Sequence, residues 1–146
     1  LGLLITAVGF DLTYLVSGNV RWADISFWMI AVGVVSGAFA SIFGIIDWLA
    51  IPTQTRAKRI GIVHGFGNIV MLILFALSWW FRTAEPPHPE KMALTLSFIG
   101  VALSFVTAWL GGELVERLGI GVDDGAHMNA PNSLTVKKLN TPEQRV

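Results

Sequence analysis

Residues 59–81 read RIGIVHGFGNIVMLILFALSWWF. From 60 to 81 the stretch carries no formal charge, and a helix needs roughly 20 mainly apolar residues to cross the hydrocarbon core of a bilayer. Yet it holds a histidine, His64, and an asparagine, Asn68, one helical turn later. Gly61, His64, Gly65 and Asn68 fall at i, i+3, i+4 and i+7, so they share one helix face. Polar groups inside a span face other helices rather than lipid. The stretch therefore predicts a bundle of membrane-crossing helices.

Working outward, residues 1–16, 25–51 and 92–111 read as three further spans, the second closed by Pro52. Helix through the fourth span can continue to Leu118. Trp22, Trp28, Trp48, Trp79, Trp80 and Trp109 lie at or near the predicted span ends, as an interfacial aromatic belt does. Because short loops join the spans, the fold class is all-α: an integral membrane four-helix antiparallel bundle over residues 1–118. Beyond Gly119 the apolar periodicity is lost, and residues 119–146 read as an extended cytoplasmic tail rather than a second domain. The chain opens Leu-Gly-Leu-Leu, without an initiating Met or a basic leader, which reads as a trimmed first span.

Composition agrees. Of 146 residues, 53% are hydrophobic and 14% charged, against about one-quarter charged in soluble domains. Net charge is zero, which argues against nucleic acid as a partner. With no cysteine, the chain offers no disulfide, catalytic thiolate or iron–sulfur ligand. The loop with Arg56, Lys58 and Arg59 and the tail with Arg117, Lys137, Lys138 and Arg145 outweigh Arg21, Arg82 and Lys91 in the opposite loops. The positive-inside rule then places both termini in the cytoplasm.

Small residues at helical spacing, Gly33, Gly37, Ala40, Ser41 and Gly44 in the second span and Ser97, Gly100, Ser104, Ala108 and Gly111 in the fourth, let helix backbones approach closely. Gly65, on the His64 face, is expected to line such a contact, so that Gly65→Leu would push helices apart. His64 admits three readings. It can be interhelical glue, bonding Asp47, a carbonyl or Asn68. It can be an axial ligand of a haem iron, with Gly61 and Gly65 leaving room for the macrocycle. It can be a proton relay or quinone contact. Asp47, Glu113 and His127 lie where they could support the ring, whereas Asp11 sits near the opposite end. A second histidine ligand is missing from the other spans, for His88 is in the outer loop; His127, on the tail, could fold back to supply it, or it would come from another chain or from upstream residues.

The stretches FDLTYLVSGN, FGIIDWLAIP, RAKRIGIVHGFGNIV and WLGGELVERLGIGVDDGAHMNAPNSL resemble a family of four-helix bacterial inner-membrane proteins classed as a domain of unknown function. The resemblance runs to about Leu134 and touches Asp11, Asp47, His64, Asn68, Gly111, Gly112 and Glu113. Members of the family typically carry a His-Pro pair before the first span, which this sequence lacks. Relatives occur beside, or fused to, Rieske or cytochrome c modules. The resemblance thus implies a multi-pass subunit of a bacterial inner-membrane redox complex, holding haem b or contacting quinone through His64. The alternative is a non-catalytic anchor subunit, with lipid and other membrane subunits as partners. On neither reading is the chain an enzyme by itself.

Overall fold

A computed structural model of the chain describes residues 1–123 and 125–132. Four helices follow one another: α1 (Gly2–Ser17), α2 (Val20–Ala50), α3 (Arg56–Arg82) and α4 (Lys91–Gly112). No strand occurs among the described residues. The expected basic tail residues Lys137, Lys138 and Arg145 lie outside them. Three of the helices are long and apolar enough to cross a membrane, while α1 is a shorter apolar helix. At 1.5 Å per residue, α2 is about 46 Å long and α1 about 24 Å.

Local chemistry sets the helix ends. Gly18 takes the left-handed conformation (φ 67°) and returns its N–H to the Tyr14 carbonyl, a backbone conformation that favours glycine. The Asn19 side chain then caps α2 by accepting from the Arg21 N–H. This cap is why α2 begins five residues before the apolar stretch at Ile25. Pro52 follows its end, and Thr55 caps α3 by accepting from the Lys58 N–H at 3.0 Å. Beyond α4 the chain does not continue as α-helix. A π-helical turn, Glu113–Arg117, widens the path, with the Leu118 N–H bonded to the Glu113 carbonyl.

The helices run up and down. The end of α1 meets the start of α2 and the end of α3 through Asp11, Ser26 and Arg82. The core between them is built from Leu4, Ala7, Val8, Ile30, Met71 and Phe75. Small residues make that contact close. A Cβ at Gly33 would lie 2.6 Å from Leu4, one at Gly37 2.6 Å from Leu72, and one at Gly100 2.8 Å from the Phe75 ring. Leu4 rests on Gly33, so α1 lies along the first half of α2. The second half packs on α3, through Leu72 at Gly37 and Trp48 at Gly61.

Two expectations change here. Arg82, placed by the sequence in an outer loop, is the last residue of α3 and is fully buried. Gly65 is not a close-contact glycine, for a Cβ there would meet nothing within 4 Å. The Gly37–Leu72 and Gly61–Trp48 contacts set an antiparallel register that brings Gly44 level with Gly65, and Gly44 is equally open. Gly65→Ala is therefore expected to be neutral or to stabilise by up to about 1 kcal/mol through helix propensity. Gly100→Ala, pressed on Phe75, is expected to cost about 1 to 2 kcal/mol. Unfolding of both variants in mixed micelles checks the contrast.

Candidate functional site

The bundle holds two polar clusters, one toward each end. His64 sits two turns into α3, facing α4. Its Nδ1 lies 2.9 Å from the Thr107 carbonyl oxygen, which only accepts, so Nδ1 carries the proton and donates. Nε2 is then the unprotonated nitrogen and accepts from the Asn68 amide at 3.0 Å. Gly111 makes this possible, since a Cβ there would stand 3.0 Å from the imidazole Cε1. One turn away, the Thr107 methyl presses on Gly67, where a Cβ would lie 2.7 Å from it. His64 and Asn68, one turn apart on α3, thus dock on Thr107 and Gly111, one turn apart on α4.

The other expected site residues lie elsewhere. Gly61 receives the Trp48 indole, whose N–H bonds to the Lys58 carbonyl while the Lys58 ammonium bonds back to the Trp48 carbonyl and stands 3.9 Å from the ring centroid. Asp47 is exposed on α2 and does not touch His64. Glu113 is bound by Arg56 at 3.0 Å and Arg117 at 3.4 Å. His127 is exposed and accepts from the Asn129 N–H. The structure brings together His64 and Asn68, and adds Thr107 and Gly111.

The second cluster was not foreseen. Arg82 and Asp11 form a two-pronged ion pair, Nη1 to Oδ1 and Nη2 to Oδ2, both 2.7 Å, with neither side chain exposed. Three serines complete it. Arg82 also donates through Nε to Ser78, through Nη1 to Ser26 and through Nη2 to Ser97. Ser78 in turn donates to the Ala93 carbonyl. All five guanidinium N–H groups have acceptors, and all four helices contribute. Desolvating two charges is costly, and this degree of satisfaction is what makes it tolerable. The signal in the sequence was one serine at the matching end of each of the last three spans, level with Asp11. Among the described residues, the one buried side-chain polar atom without a partner is the indole N–H of Trp79, whose ring lies 5.8 Å from that of Phe27.

Chemically, both clusters are closed. Axial ligation of a haem iron by His64 would take the Nε2 lone pair away from Asn68, and the four helices hold no second histidine. Among the described residues, no three His, Cys, Asp or Glu side chains are grouped to hold a metal ion. A family model described as a predicted membrane protein (DUF2231) matches residues 1–124. No curated protein and no solved structure matches.

Proposed function

The chain belongs to that family of predicted membrane proteins, and from this premise we propose that it serves as a non-catalytic anchor subunit of a larger membrane complex. One observation carries the reading. The polar groups of both interior clusters are spent on holding the chain's own helices together, from the five N–H groups of Arg82 to both ring nitrogens of His64. What remains for interaction is the apolar outer surface, where Phe66, Phe105 and Trp109 are all more than half exposed. In orientation, the Arg59 end lies in the cytoplasm. With Arg82 neutralised by Asp11, the opposite end keeps only Arg21 and Lys91 as exposed basic residues.

A second reading, electron transfer, draws on the open space at Gly65, next to His64 in the chain. Spectra of the purified chain separate the two. The anchor reading expects a flat reduced-minus-oxidised difference spectrum, no co-purifying quinone, and a fixed stoichiometry with another membrane protein in mild detergent. A b-type α band that disappears in His64→Ala would overturn it in favour of electron transfer.

A further inference from the structure

We propose that the outer groove between α3 and α4 is a binding site for one anionic phospholipid. This does not depend on either reading of His64, which faces the bundle interior. The groove has a volume of about 260 Å³ and is walled by Val63, Phe66 and Val70 on α3 and by Leu103, Val106 and Leu110 on α4. Its floor is the point where Thr107 meets Gly67. Val63, Phe66 and Val106 are 58%, 67% and 53% exposed, so the groove opens outward, toward lipid. From residue 63 to residue 70 it is about 10 Å long, the shape of a slot for an acyl chain.

Charge identifies the rest of the ligand. Arg59 lies four residues before Val63 on the same helical stripe, about 6 Å beyond the groove's end. It is exposed and makes no ion pair among the described residues. Arg56, one turn earlier, and Arg117, seven residues past Leu110, share the single carboxylate of Glu113, and their side chains stay 57% and 76% exposed. Lys58 is turned away, onto Trp48. Even with Glu116 counted, the end of the groove keeps an excess of positive charge. An apolar slot running into guanidinium groups at the membrane surface matches a ligand with an acyl chain and a phosphate headgroup at its end. Basic pockets between spanning helices recognise lipid headgroups in this way.

The test is native mass spectrometry of the full chain in neutral detergent, with equimolar phosphatidylglycerol and phosphatidylcholine of identical acyl chains. Phosphatidylglycerol should be retained at least tenfold better. Arg59→Gln should weaken its retention about fivefold, and Arg56→Gln with Arg59→Gln further. Val106→Trp, which fills the groove from an exposed position, should lower retention several-fold without changing the melting temperature. Glycerol phosphate at equal concentration should not displace the lipid. Equal retention of the two lipids, indifference to Arg59→Gln or to Val106→Trp, or displacement by glycerol phosphate would each overturn the proposal, the last in favour of a free-phosphate site.

Discussion

Arg82→Met is expected to destabilise the protein by about 3 to 5 kcal/mol, because it leaves the Asp11 carboxylate buried without its countercharge. Asp11→Leu should cost as much, stranding the guanidinium. The double variant Asp11→Leu with Arg82→Met should recover most of the loss, because apolar side chains of similar volume can replace a buried ion pair at little net cost. Three serines would remain, and Ser78 keeps its bond to the Ala93 carbonyl. Unfolding free energies in mixed micelles for the three variants form a complete cycle. Additive single losses would mean that the pair is not coupled, and that the four helices are not joined through it. If the double variant is as stable as the parent, the pair adds little net stability and serves to define which helix ends meet.

His64→Leu is expected to cost about 2 to 3 kcal/mol, chiefly by leaving the Asn68 amide without its acceptor in a water-poor site. The interhelical hydrogen bond to the Thr107 carbonyl is the smaller term, since coupling across membrane helices measures about 0.6 to 1.7 kcal/mol. Asn68→Leu should cost less, for it removes one partner of a ring that still donates to Thr107. The double variant should cost less than the two singles added together. Thermal unfolding in detergent reads all three. A His64→Leu protein as stable as the parent would show that the imidazole does not join α3 to α4, and would remove the main support for the anchor reading at this end of the bundle.

The helical spans were legible because each is a local property. Runs such as 60–81 have no charge, and lipid admits only structures that satisfy their own backbone, so composition alone leads to helices. Asn19, Thr55, Gly18 and Pro52 mark ends by short-range chemistry that is equally local. The inward face of residues 61–68 was also legible, from the spacing of its polar groups. Which polar groups would meet was not, because spacing along one helix says nothing about the rotation and register of its neighbours.

Arg82 shows the difference most clearly. In the sequence it is a charge at the boundary of an apolar run, the usual sign of a loop, and Asp11 is a solitary acid 71 positions earlier. Only the packing of four helix ends supplies enough acceptors to bury the guanidinium, and that packing depends on Leu4 at Gly33 and Phe75 at Gly100. Gly65 makes the converse point. It belongs to the same stripe as Gly61, yet Gly61 is filled by Trp48 while a Cβ at Gly65 would meet nothing within 4 Å. By itself, then, the sequence determined that this chain crosses a membrane as helices and that the His64 face turns inward. The tertiary structure alone decided which charges pair and which glycines are contacts, because a close contact depends on what the opposing helix places at the same level.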